Sequence, residues 1–369
     1  VNHLGRPIDV AVIGGGLAGG LLALALAERG LAAVLISTAS LGLPNTLVPA
    51  AGFGPATSWS YAGVLGPDLR AWLQLQERHG DLGLCRRRLH RHGQARLDSA
   101  RLVSSRLVPG ARPAFGQVDL KRFCQALPLA LDRLGVRQLQ AQVAHPPRRL
   151  GGLWQLELHG QGGAPLPLEV GQAVVAAGAG CRALWPGLSE SLRSSWAGVL
   201  HLEAWPDPKR YPSRWLRLVR AGGVVLPQAM VRPSLEQRAG TLAQEEWVVD
   251  PGLACLGDGL LVGQISLVRP GLELGTPPDL AVMESRLRQA LGRFDPLLAE
   301  LPARYRQVPV SFCVDGKPLV GPVAGAPGLW ALAGFRGAFG EVPRAAQALA
   351  DQIETSLASP CQLPDSPVG

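Results

Sequence analysis

Apolar residues in this chain fall into short unbroken runs, and the period changes wherever glycine intervenes. Val10-Ala11-Val12-Ile13 has no polar break, the pattern of a strand buried on both faces. Gly14-Gly15-Gly16-Leu17-Ala18-Gly19 interrupts it, and helix-forming Leu21 to Arg29 follows and ends at Gly30. Ala33-Val34-Leu35-Ile36 restores the buried-strand pattern and completes a β-α-β unit. Residues 10 to 27 carry no charge, and Gly15 and Gly19 form a G-x-x-x-G pair, so a membrane span or signal peptide is the rival reading. No basic segment precedes the run, and three glycines stand where strand must become helix. The β-α-β reading is therefore preferred.

The remaining pattern alternates between helical and strand periods. A loop rich in Gly, Pro, Ser and Thr spans Ser37 to Pro67, and a helix is expected over Pro67–His79. Arginine-rich strands run to Arg112, and Asp119 is placed to cap an amphipathic helix over Leu120–Leu134. Short strands are expected at 138–143, 153–158, 166–170 and 173–177. Leu200 to Pro309 reads as strand-rich, broken by one helix near Leu280–Leu291. Strand Leu329–Ala333 and a helix to Leu357 close the pattern, and the Pro- and Ser-rich tail 358–369 is expected to be disordered.

Composition changes this picture only locally. With 369 residues, 47% of them hydrophobic, two domains and a large core are expected. Six cysteines lie scattered without a C-x-x-C pair or secretion signal, so reduced thiols in the cytoplasm are expected. Net charge is +8 with only three lysines. Arg86, Arg87, Arg88, Arg91, Arg96, Arg101, Arg106 and Arg112 cluster with Asp98 as the only acid between them. That segment is either a solvated sheet face or a footprint for RNA or another polyanion. His90-x-His92, inside it, reads as solvated rather than metal-ligating, and no other spacing suggests a metal site.

The opening unit carries the first chemistry. Strand, then Gly14-x-Gly16-x-x-Gly19, then helix is the dinucleotide fingerprint. Gly14 allows the tight turn, Gly16 admits a pyrophosphate against the backbone, and Gly19 lets helix and strand pack closely. The helix N-terminus adds unpaired N–H donors and the positive end of its dipole.

Three further segments occur in a particular order after this one. They are Gly116-Gln117-Val118-Asp119, Val174-Val175-Ala176-Ala177-Gly178, and Asp315-Gly316-x-Pro318-x-x-Gly321-Pro322 with Gly334-Phe335-Arg336-Gly337. Together the four resemble the FAD-dependent D-amino-acid oxidase superfamily, which includes glycine oxidase and monomeric sarcosine oxidase. The resemblance implies an α/β fold in which a Rossmann-like FAD-binding domain (1–80, 116–190 and 311–357) interleaves with an antiparallel-sheet α+β substrate domain (81–115 and 191–310). It implies non-covalent FAD, with Gly14, Gly16, Leu17, Ala18 and Gly19 at the pyrophosphate. Ser37 would lie at the ribose, Val143 at the adenine and Ala177-Gly178 along the dinucleotide. Asp315, Gly316 and the Gly334, Phe335, Arg336, Gly337 turn would face the flavin.

The implied activity is oxidation of a C–N bond in an amine or amino-acid-like small molecule, by hydride transfer to flavin N5 with oxygen or another electron acceptor. A flavin-dependent 2-hydroxy-acid dehydrogenase and a polyanion-directed flavoprotein are the alternatives. Arg336, Lys317 and Tyr61 are the candidate catalytic side chains. Trp59, Tyr61, Tyr211, Trp215 and Phe335 are candidate pocket walls, against the commoner place of such residues in a core. Trp59 and Tyr61 fit a wall best, because their loop corresponds to one that covers the flavin in the family.

The chain departs from the family pattern at three places. Ser37 stands where a ribose-binding carboxylate is expected. Val310 replaces a substrate-clamping arginine, for which Arg304, Tyr305, Arg306 or Arg336 would have to substitute. Ala338, Phe339 and Glu341 occupy the positions of the sarcosine-oxidase His-Gly and nearby Lys, and no cysteine has the spacing for covalent flavin attachment.

Overall fold

The computed structural model describes residues 7–38, 67–92, 114–160, 164–227 and 231–358. Its central sheet has six strands in the order Leu319–Pro322, Leu329–Ala333, Gln172–Val175, Val10–Ile13, Ala33–Ser37 and Arg137–Gln140. All run parallel except Leu319–Pro322, which pairs antiparallel with Leu329–Ala333. Val10, Ala11 and Val12 are fully buried, because both faces of the sheet are covered.

One face is covered by the helices Leu17–Glu28, Pro67–His79, Leu120–Arg133 and Ala338–Ala358. The other is covered by a small four-stranded sheet, whose Trp154, Leu156, Leu158, Leu168 and Val170 pack against Ala11, Ile13, Val34 and Val175. Its strand Leu153–His159 alternates buried and exposed positions, as a sheet with one dry face requires.

The first helix begins at Leu17, earlier than the Leu21 expected from residue preference. Packing overrides the poor helix propensity of Gly19 and Gly20. A Cβ on Gly19 would lie 1.8 Å from the Gly14 carbonyl oxygen, and one on Gly20 would lie 2.6 Å from Leu127 Cδ2. Asp119 caps the helix Leu120–Arg133 as expected, accepting from Arg122 N at 3.2 Å.

An eight-stranded sheet carries the second core. Its long strands Leu192–Leu202, Gly259–Val268 and Arg304–Cys313 pair antiparallel, while Leu84–His92 runs parallel to Gly223–Pro227. Besides Leu280–Phe294, this region contains the helices Arg214–Arg220, Arg232–Arg238 and Pro296–Ala299, where sequence reading expected a single helix.

One expectation is corrected here. His92 is not solvated: its ring lies 4.0 Å from that of Phe294, and Nε2 is 2.6 Å from the Pro251 carbonyl oxygen. Tyr211 and Trp215 take the core reading, buried here and not on the wall of the cavity described below. Among the described residues, no helix is long and apolar enough to cross a membrane, and no cluster of His, Cys, Asp and Glu could hold a metal ion. Trp59, Tyr61, the arginines from 96 to 112 and the tail beyond 358 lie outside the described residues.

Candidate functional site: a dinucleotide cavity between two sheets

Parallel strands open their carboxyl ends on one side of a sheet, and the crevice there is the common ligand site of such folds. In this chain Gly14, Ser37, Ala176 and Gly334 each stand at or just after such an end. A cavity of about 900 Å³ runs across them. The eight-stranded sheet closes its far wall through Ala197, Leu226, Gln264 and the segment Pro309 to Ser311.

The middle of the cavity is a backbone cradle. Gly14 has φ +122°, and a Cβ there would lie 2.4 Å from the Ala176 carbonyl oxygen, so a side chain cannot be accommodated. Gly14 N donates to the Ile36 carbonyl at 2.8 Å, which ties the turn to the neighbouring strand. Gly16 is the N-cap of the helix Leu17–Glu28 and offers no side-chain cap to its first N–H groups. Gly16, Leu17 and Ala18 line the cavity, so those donors and the helix dipole point at whatever occupies it. Gly19 lies one layer behind and allows the helix to approach the Gly14 carbonyl. These features fit a pyrophosphate, and the cavity continues on either side of the cradle.

One end is nearly neutral. Ser37, Thr38 and the stretch Gln142 to His145, including Val143, form the wall there. Ser37 presents a hydroxyl where a carboxylate was expected.

The other end gathers buried charge. Gly334, Phe335, Arg336 and Gly337 line it together with Arg232, Gln264 and Glu341, and Ala177 and Gly178 lead into it. Glu236 is 1% exposed and lies 2.7 Å from Arg232 Nη1 and 3.2 Å from Arg336 Nε. Burial pushes its carboxyl above the usual range while the two guanidiniums pull it back down. Asp250 holds the start of the Arg232–Arg238 helix, accepting from Val231 N at 2.8 Å and Arg232 N at 3.2 Å. Arg232 Nη2 also donates to the Arg336 carbonyl at 3.3 Å.

The Asp315-Gly316-Lys317 turn does not line the cavity. It backs Arg336, whose Nη2 donates to the Val314 carbonyl at 2.9 Å. Gly316, at φ +74°, leaves room for that side chain, since a Cβ there would be 3.0 Å from Arg336 Nη1. Lys317 N bonds Asp315 Oδ1 at 3.0 Å and closes the turn.

Of the residues considered as substitute clamps, Arg304 and Arg306 point to Glu203, 3.5 and 3.9 Å away. Tyr305 packs against Gly198 and donates to Gln307 Oε1 at 3.2 Å. Only Arg336 of the four borders the cavity, and Val310 contributes an apolar wall. Sequence reading missed Arg232, Glu236 and Gln264, which come from elements far from Arg336 in the chain. The i,i+4 spacing of Arg232 and Glu236 across Pro233, a helix-starting proline, was the available signal.

The glycine cradle, the parallel strand ends and the second sheet closing the crevice define a dinucleotide-binding protein of two interleaved sheets. The chain belongs to the FAD-dependent oxidoreductases: the DAO family, described as FAD dependent oxidoreductase, matches residues 9–352. It is thus an enzyme family member whose cradle residues fit the family's cofactor. Among solved structures it is similar to glycine oxidase from Geobacillus kaustophilus, with 20% identity, TM-score 0.64 and 94% of each chain covered. Glycine oxidase from Bacillus cereus aligns with 16% identity and TM-score 0.63, covering 94% of this chain and 97% of that one. Iminodiacetate oxidase from a Chelativorans species aligns with 18% identity and TM-score 0.60, covering 96% and 97%. A search of the curated proteins matched none.

Proposed function

We propose that this chain binds FAD non-covalently along the cavity and oxidises the C–N bond of an amine or amino-acid-like substrate held between the two sheets. The observation that carries this reading is the paired guanidiniums at one end of the cavity, Arg232 and Arg336, bridged by a single buried carboxylate. One carboxylate shared between two guanidiniums leaves N–H donors of Arg232 and Arg336 to take a substrate carboxylate. The oxidases of glycine and iminodiacetate among the structural neighbours act on substrates of that chemistry.

In this reading Gly14 and Gly16 to Ala18 hold the phosphates, Val143 borders the adenine, and the Gly334 to Gly337 turn borders the flavin. FAD bound there supplies a two-electron acceptor for a substrate hydride. Arg336 fixes the substrate carboxylate in place of the arginine that Val310 lacks, and Glu236 holds Arg336 in position. Leu226, Val310 and Phe335 exclude water from the reacting C–H bond. An amine can shed its proton on entering, so C–N chemistry asks no side-chain base of the cavity wall. Cys313 is buried against Gly334 with its thiol pushed up by burial, which suits a structural role rather than flavin attachment.

The test is anaerobic mixing of FAD-loaded protein with amines, amino acids and 2-hydroxy acids. Bleaching of the flavin bands by an amine or amino acid is expected; bleaching by hydroxy acids alone would overturn the C–N assignment. Arg336→Met should raise KM far more than it lowers kcat if the side chain binds the carboxylate. Admitting oxygen afterwards assigns the electron acceptor.

One observation favours a second, surface reading. The strand Leu84–His92 lies beside Gly223–Pro227, which follows the helix Arg214–Arg220. Arg86 and Arg88 on the first of these strands are exposed, as are Arg214, Arg217 and Arg220 on the helix that leads into the second. We infer a polyanion-binding face there, tested by heparin retention that collapses with modest salt; passage without retention at low salt would exclude it.

A further inference from the structure

The final helix, Ala338–Ala358, begins at the charged end of the cavity, with Gly337, Ala338 and Phe339 on the wall. A helix start normally directs unpaired N–H groups outward, and at a flavin they would face the ring edge that gains negative charge on reduction. Here one of the donors at this start, Gly337 N, is already engaged. Glu341, in the first turn, also lines the cavity, and its Oε1 accepts from Gly337 N at 2.8 Å. An acidic group thus stands where a reduced ring would favour positive charge.

The surroundings of Glu341 oppose one another. The helix dipole and the Gly337 N–H favour its carboxylate, while burial pushes the carboxyl above the usual range and outweighs them. Three charged groups face it. Asp68, on the packed helix Pro67–His79, repels the carboxylate, whereas Arg344 on its own helix and Arg336 from the preceding turn attract it. Asp68 is itself held by Arg344, Nε to Oδ1 at 2.9 Å. Trp72 donates to the Phe339 carbonyl and anchors the helix start, so Glu341 has little freedom to swing away.

We propose that Glu341 couples a proton to the redox state of the flavin: it is a carboxylate beside the oxidised ring and takes up one solvent proton as two electrons enter. The proposal rests on the FAD reading above. Electrons come from the substrate, the proton comes from water, and the local charge at the ring edge rises by one to offset the electrons gained. Glu341 acts as a tuning and positioning residue.

The experiment is a reduction-potential measurement on FAD-loaded protein across the neutral pH range, by equilibration with reference dyes. Glu341→Gln should raise the potential on the alkaline side by the equivalent of a tenfold change in the oxidised-to-reduced ratio, about 30 mV for a two-electron couple. The two curves should converge in acid, where Glu341 is protonated throughout. Coincident curves at every pH would overturn the proposal. The redox-difference infrared spectrum of the unmodified protein gives a second readout, needed if the variant folds poorly. A protonated-carboxyl band should appear on reduction, and its absence would also overturn the proposal. A chain that takes up no FAD would fail at the earlier reading, and its colourless spectrum distinguishes the two failures.

Discussion

The two ends of the cavity are built from different materials. At the Ser37 end the described wall is backbone, small side chains, one hydroxyl pair and His145. At the opposite end Arg232, Glu236, Arg336 and Glu341 crowd together, with Glu236 almost wholly buried. Backbone suffices to hold phosphates, because N–H groups and a helix dipole need no side chain. Chemistry on a substrate needs charges in fixed places, and burying them demands paired partners. The cradle is therefore local in sequence, and the charged end is assembled from distant segments.

Breaking the cradle should have the largest effect on cofactor binding. Gly14→Val forces a side chain into the Ala176 carbonyl and into a backbone conformation that valine avoids. FAD affinity should fall at least a hundredfold, about 2.7 kcal/mol, as measured by flavin fluorescence titration. Normal affinity would remove the cradle from the account.

Breaking the charged end should cost stability instead. Glu236→Ala leaves Arg232 and Arg336 facing each other without their shared carboxylate, and removing one member of a buried ion pair costs about 3–5 kcal/mol. Urea unfolding of the FAD-free chain reads this directly. A loss within the range of a surface substitution would show that Glu236 does not organise the pair.

A gain should follow from repairing the neutral end. Ser37→Glu restores an acceptor for the ribose hydroxyls and should tighten FAD about tenfold, or 1.4 kcal/mol. Unchanged affinity would mean that other groups already satisfy the ribose.

The smallest expected effect is on the pH dependence of stability. The Glu341 carboxyl lies above its ordinary value of 4.5 in the folded chain, so the folded state binds more protons than the unfolded state between the two values. Its favourable contribution is complete below the unfolded value and is lost as pH rises through the folded one. Glu341→Gln should flatten that fall in the urea midpoint, and a parallel curve would contradict the assignment.

The contrast between the ends also explains what sequence reading could reach. Val10 to Ala18 and the strand Ala33–Ser37 carry their meaning in adjacent residues, and Asp119 announces its helix by position alone. The cavity-lining role of Ser37 and Val143 followed from the family resemblance, and both border the cavity. Arg214-Trp215-Leu216-Arg217-Leu218-Val219-Arg220 was hidden within a strand-rich stretch, although its exposed arginines recur every three residues. Arg232 and Glu236 reach Arg336 across 104 and 100 positions, and nothing local encodes that meeting. Lys317 stands beside the Asp315–Gly316 motif in sequence, yet the turn backs Arg336 instead of facing the cavity.

FAD uptake tests the central claim most directly. The chain, stripped of any bound flavin and titrated with FAD, should take up one equivalent per chain, show flavin absorbance in the bound state and release the flavin intact on denaturation. Failure to bind, or binding that Gly14→Val leaves unchanged, would contradict the assignment of this cavity.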